Sequence, residues 1–129
     1  MPAQTPEQAH ELFVQFFNAG DIDAMLSLYE RDALLVTEPQ PVRGHTAIRE
    51  AAQGWLSLKG QMDLTVEKVY QSNDIAILFS SWTLTGTDPE GAPVRRTGQT
   101  SDVVRRQTDG AWLFVIDNPQ GAAATKAGE

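Results

Sequence analysis

Near residue 60 the hydrophobic period of this chain changes, from helical spacing to the two-residue alternation of strands. Ahead of the change, Ala9, Leu12, Phe13, Phe16 and Phe17 fall at i, i+3, i+4, i+7 and i+8, the stripe of a helix buried on one side. Beyond it, Met62, Leu64 and Val66 alternate with Asp63, Thr65 and Glu67, as in a half-buried strand. Helices segregated from a run of strands predict an α+β fold, an antiparallel sheet curved around a helical layer.

Local signals fill in the order. Thr5, Pro6 and Gln8 read as an N-cap, a proline at N1 and a capping-box partner, and Gly20 is placed to end that helix. Asp21 is a good N-cap for a second helix with Ile22, Met25, Leu26 and Tyr29 as its buried stripe. A short strand over Ala33 to Thr37 is broken by Glu38-Pro39-Gln40-Pro41, where the prolines deny further ladder pairing. Helical spacing returns from His45 to about Lys59, with Ile48, Ala51, Ala52, Trp55 and Leu56 on one face. Four strands follow: one from Met62, then Ile75 to Thr85, Val94 to Arg106 and Trp112 to Asn118. Turns at Ser72-Asn73-Asp74, Asp88-Pro89-Glu90-Gly91 and Thr108-Asp109-Gly110 join them. Residues 1–120 are expected to form one domain, and the small polar residues 121–129 a flexible tail.

Charge and composition exclude several functions. A net charge of -7 disfavours nucleic acid and anionic membrane, both of which need a basic surface. With no cysteine, neither a disulfide, a thiolate metal site nor a thiol nucleophile is available. The two histidines are isolated and lack metal-ligand spacing, so no metal is expected. The N-terminus has neither the basic nor the apolar region of a secretory signal, and no apolar run reaches the length of a membrane span. Cytoplasmic location is the expectation.

The last strand carries the sharpest chemical question, because its apolar run Trp112-Leu113-Phe114-Val115-Ile116 ends in Asp117 and Asn118. A carboxylate there is costly to bury unless it is paired or protonated. If the last two strands are neighbours, Asp102 and Asp117 can both face the concave side, where two carboxylates would have separated protonation equilibria and act as acid and base. The alternative is that each acid faces solvent or pairs with Arg95, Arg96 or Arg105. The Arg95-Arg96 and Arg105-Arg106 pairs place one arginine on each strand face, as sheet-surface salt bridges or as a holder for an anionic ligand. His10 flanks the stripe of the first helix and is expected to be exposed. His45, near a helix start, is expected at the surface. A hollow between sheet and helices is the natural ligand site. Phe13, Phe17, Tyr29, Trp55, Trp82, Val104, Val115 and Asn118 are expected to line it.

Gly20-Asp21-Ile22-Asp23-Ala24, Tyr29, Asp32-Ala33 and Val42-Arg43-Gly44-His45-Thr46-Ala47-Ile48 give the chain a family likeness. So do Asp102-Val103-Val104-Arg105-Arg106, Asp109-Gly110-Ala111-Trp112 and Ile116-Asp117-Asn118-Pro119. Over about residues 7 to 120 the sequence resembles the nuclear transport factor 2-like superfamily, in its ketosteroid isomerase-like and SnoaL-like branches. The resemblance implies a cone-shaped, cystatin-like fold and a homodimer through the outer sheet face. That dimer would also cover Ile75, Ile77 and Phe79, which helices on the other face cannot reach.

The steroid isomerases use a carboxylate base, a tyrosine and a protonated aspartic acid. Here the tyrosine falls on Phe13, the base on Thr37 or Glu38, and the protonated acid on Asp102. The arginine between two aspartates of the limonene epoxide hydrolases has no clear counterpart. The expected function is binding of an apolar, cyclic small molecule. Any catalysis would be isomerase, cyclase or dehydratase chemistry without cofactor, with Glu38 as candidate base and Asp102 or Asp117 as acid or oxyanion donor. The alternative is a non-catalytic ligand-binding or dimerisation module, because this fold hosts both.

Overall fold

The computed structural model describes residues 2–122. Helix α1 (Pro6–Ala19) starts where the Thr5 side chain accepts a hydrogen bond from Gln8 N, and ends at Gly20, whose φ of 70° is left-handed. A short α2 (Ile22–Leu26) is capped by Asp21. Strands β1 (Tyr29–Leu35) and β2 (Val42–Arg43) precede α3 (His45–Leu56). Then come β3 (Gln61–Ser72), β4 (Ile75–Thr87), β5 (Pro93–Arg106) and β6 (Trp112–Asp117). The fold is α+β, with one curved six-stranded sheet in the order β2-β1-β6-β5-β4-β3. Every pairing is antiparallel except that of β1 with β6, which is parallel.

Tyr29 departs from the expected helical stripe. It is the first residue of β1, because α2 stops at Leu26 and the next segment pairs with β6 on one side and β2 on the other. Ladder pairing on two sides outweighs a helical pattern that had one turn left to run.

The inner sheet face and the helices share one core. Ala9, Phe13 and Phe17 of α1 pack with Leu78, Val104, Trp112 and Phe114 of the sheet. The face of α1 that is buried runs Pro6, His10, Phe13, Phe17, so His10 is 2% exposed rather than a surface residue. His45 is half-buried, with Nε2 3.0 Å from the Tyr29 carbonyl oxygen. On the outer face Tyr70 and Ile75 remain 58% and 39% exposed.

Residues after β6 form a strap across β4 and β5. Ser101 N donates to the Asn118 carbonyl at 3.0 Å, and Trp82 Nε1 to the Pro119 carbonyl at 2.7 Å. Gly121 is buried, and a Cβ there would stand 2.7 Å from the Gln99 carbonyl oxygen. Close approach of two backbones therefore makes Gly121 part of the packed domain, not the start of a free tail. Residues 123–129, the rest of the expected tail, lie outside the described residues.

Candidate functional site

A cavity of about 390 Å³ opens between α1, α3 and the concave sheet. Its walls are largely apolar: Phe13, Trp55, Met62, Leu64, Trp82, Leu84 and Phe114. Strand register sets the sheet side of this wall. Met62 pairs with Leu84 and Leu64 with Trp82, all facing inward, and on β5 the inward row opposite them reads Arg96, Gly98, Thr100, Asp102. Gly98 lies opposite Trp82, and the absence of a side chain lets the indole lie across β5.

Polar groups collect at one end. Asp102 Oδ2 is 2.6 Å from His10 Nε2, and Asp102 Oδ1 accepts from Asn118 N at 2.7 Å. The other ring nitrogen, His10 Nδ1, is 2.8 Å from Ser80 Oγ. A neutral ring satisfies all of these contacts with Nε2–H donating to Asp102 and the Ser80 hydroxyl donating to Nδ1. A hydroxyl can also accept, so the ring can take a second proton without losing a partner.

Beside this group, the Tyr29 hydroxyl donates to Asp117 Oδ2. Burial pushes the Asp117 carboxyl well above its ordinary 3.8, and the charge of Asp102 and a hydrogen bond to it add to the rise, while the Tyr29 bond opposes it. The Tyr29 phenol is held well above 10.0, first by burial and then by the charge of Asp117. Asp117 is therefore the carboxyl group whose neutral form the site favours, next to a carboxyl group that already accepts two hydrogen bonds.

Of the residues expected at the site, Glu38, Asp102, Asp117, Phe13, Trp55 and Trp82 line the cavity. Five others do not. Phe17 and Val104 are buried in the core beneath the wall, and Tyr29 stands behind Asp117. Val115 is the unpaired residue of a bulge between Phe114 and Ile116, which takes it out of the inward row. Asn118 acts through its backbone N–H. Neither aspartate pairs with an arginine: Arg105 binds Glu30 at 2.8 Å and Arg106 binds Asp74. Glu38 is exposed at the rim.

The sequence reading missed His10, Ser80, Thr100 and Phe114. For His10 a signal existed, since Pro6, His10, Phe13 and Phe17 are themselves spaced as one helix face. Thr100 Oγ1 is buried without a hydrogen-bond partner. Among the described residues no three His, Cys, Asp or Glu are grouped to hold a metal ion. Nor is any helix among them long and apolar enough to cross a membrane.

The model of the SnoaL-like domain matches residues 10–120, which spans every element that builds this cavity except the first turn of α1. The chain belongs to the SnoaL-like domain family. Among curated proteins none matches it. Solved structures share the fold at low identity. A protein of unknown function from Mycobacterium tuberculosis superposes with a TM-score of 0.77 at 19% identity, covering 88% of this chain and 68% of that one. A ketosteroid isomerase-like protein from Erwinia carotovora gives 0.75 at 22% identity, covering 86% and 88%. A member of the NTF2-like family from Streptomyces avermitilis gives 0.75 at 18% identity, covering 88% and 92%. These likenesses show that the SnoaL-like chain shares its fold with NTF2-like and ketosteroid isomerase-like structures.

Proposed function

We propose that this SnoaL-like protein binds an apolar cyclic ketone in the cone and moves a proton at the carbon next to its carbonyl, without cofactor. One observation carries the reading: two buried carboxyl groups share the wall of an apolar cavity, Asp102 accepting from His10 and Asn118, and Asp117 with its pKa raised by burial and by Asp102. Asp117 donates a hydrogen bond to the substrate oxygen, taking over from Asp102 as its acceptor. Asp102 removes the α-proton, and His10 Nε2–H steadies the carboxylate before and after. The enol returns its oxygen character to a ketone as Asp102 gives the proton back at another carbon. Where a β-hydroxyl is present, that group leaves with a proton as water. Glu38, exposed at the rim, has no role in this step.

The test is deuterium uptake at the α-carbons of 2-tetralone in D2O, followed by NMR. Wild-type protein should accelerate uptake, and Asp102→Asn and Asp117→Asn should each lower the rate by about 10²–10³-fold. Wild-type protein that binds 2-tetralone without accelerating exchange would leave the non-catalytic binding module. That second reading is favoured by Phe13, which stands where the isomerases place a tyrosine, and by the mutual satisfaction of His10, Asp102 and Ser80.

The outer sheet face is proposed as a homodimer contact, centred on Phe79 with Tyr70 stacked edge-on against it at 6.1 Å. Sedimentation should show a dimer for wild type and a monomer for Phe79→Arg. A wild-type monomer at high protein concentration would sink this reading.

A further inference from the structure

We propose that the ligand of this cavity is an elongated anion whose carboxylate is held by Arg96 at the cavity mouth. The inference deepens the proposed function, resting on its reading of the cone as a small-molecule site, and names the class of molecule.

Arg95 and Arg96 are adjacent on β5 and so point to opposite faces. Arg96 is the inward one: it sits opposite Leu84, which in turn sits opposite Met62, and all three line the cavity. A guanidinium in an otherwise apolar cross-strand row adds nothing to core packing. It does supply a fixed fork of donors suited to a carboxylate. Arg96 is exposed, as Arg95 is, but of the two it alone lines the cavity, and it is not tied up in an ion pair as Arg49, Arg105 and Arg106 are. Among the described residues no hydrogen bond or ion pair engages it. Glu38 shares the rim but forms no ion pair with it.

The depth of the site has polar stations in line. Thr100, 3% exposed and without a hydrogen-bond partner, follows Arg96 four positions along the same face, and Asp102 follows two further on. Arg96 and Asp102 are therefore separated by about 20 Å of strand at ~3.3 Å per residue, part of which the arginine side chain spans. A ligand that reaches both is long and flat, anionic at the mouth and carbonyl-bearing at the acid end. A small neutral ketone would fill only the inner part.

The experiment is calorimetric binding of 6-acetyl-2-naphthoate and its methyl ester. Wild type should prefer the acid by about tenfold or more. Arg96→Gln should remove that preference and leave the ester within about twofold, while Arg96→Lys should keep part of it. Glu38→Gln, which removes a like charge from the rim, should tighten the acid. Equal binding of acid and ester by wild type, or an equal loss of both in Arg96→Gln, would overturn the proposal. Binding is read without turnover, so Asp117→Asn separates the two claims. Loss of proton exchange with the acid preference intact supports both, and intact exchange with no acid preference removes only this one.

Discussion

Phe114 and Asp117 line the same cavity although they stand three positions apart on one strand. In a regular strand an odd separation puts two side chains on opposite faces. Here the register against β5 shifts between Phe114, opposite Val104, and Ile116, opposite Val103, so β6 holds one extra residue. The bulge at Val115 turns the end of the strand over and brings its acid into the cone beside Asp102. Deleting Val115 removes the extra residue, so Phe114 and Ile116 become neighbours opposite Val104 and Val103, and Asp117 stays on the inner face by simple alternation. The variant should therefore keep the pH behaviour argued next, read by the same unfolding titrations, whereas loss of it would show that the bulge is needed to aim the acid.

The raised pKa of Asp117 makes stability depend on pH with a definite sign. Its native value lies well above its ordinary 3.8, so between those two values the folded chain binds more protons than the unfolded one. The contribution of this group is fully present below 3.8 and is lost as pH rises through the native value. Each unit of separation corresponds to about 1.4 kcal/mol. Asp117→Asn keeps an acceptor for the Tyr29 hydroxyl but cannot titrate. The stability of wild type relative to Asp117→Asn should therefore fall as pH rises above about 4 and through the raised native value, measured by denaturant unfolding. A difference that stays flat over that range would contradict the assignment. Tyr29→Phe removes the one contact that favours the ionised acid, so it should move the fall to higher pH.

His10 is held at both ends, by Asp102 and by Ser80, and is buried. Replacing it with leucine fills the volume but strands a carboxyl group and a hydroxyl. That should cost about 3–5 kcal/mol, as when one member of a buried pair is removed. Ser80→Ala removes one neutral partner and should cost only about 1 kcal/mol. Equal, small losses in urea unfolding for both variants would show that the pair is not the anchor of this end of the cavity.

The features that the sequence made legible are those written in local chemistry. Thr5, Gly20 and Asp21 set helix ends through caps, and the alternation from Met62 to Val66 marks a half-buried strand. Asp102 and Asp117 could be paired from sequence because a tight turn joins their strands. What stayed hidden depends on contacts distant in the chain. Tyr29 fits a helical stripe until β6 and β2 pair with its segment. His10 looks like a flank of α1 until Asp102 and Ser80 meet it from residues 92 and 70 positions away. The bulge at Val115 has no glycine or proline to announce it, so the list of cavity residues on β6 could not be read from alternation alone.

Gly98 is where backbone economy shapes the cavity. A Cβ built there would stand 2.7 Å from Trp82 Cε2 and Cζ2, inside any real contact distance. Gly98→Ala should push the indole off β5, break its hydrogen bond to the Pro119 carbonyl and cost about 1–3 kcal/mol by overpacking. In a Trp82→Leu background the same change should cost much less, because the ring it collides with is gone. Additive losses in that double-mutant cycle would mean that the glycine serves the strand and not the tryptophan.

Thr100 tests the opposite kind of effect, a group the fold would be steadier without. Its hydroxyl is buried, faces the inner row opposite Ser80 and has no partner, while the Ser80 hydroxyl is committed to His10. Leaving such a group unpaired costs about 1–3 kcal/mol, so Thr100→Val, which keeps the β-branched shape, should raise the unfolding midpoint. The same substitution should weaken any ligand that places an oxygen at that depth. If Thr100→Val instead lowers stability by more than about 1 kcal/mol, the hydroxyl has a partner in solution, an ordered water in the cone being the simplest. Stabilisation combined with weaker ligand binding would mark Thr100 as a position that gives up fold stability for recognition, as polar groups lining a binding cavity commonly do.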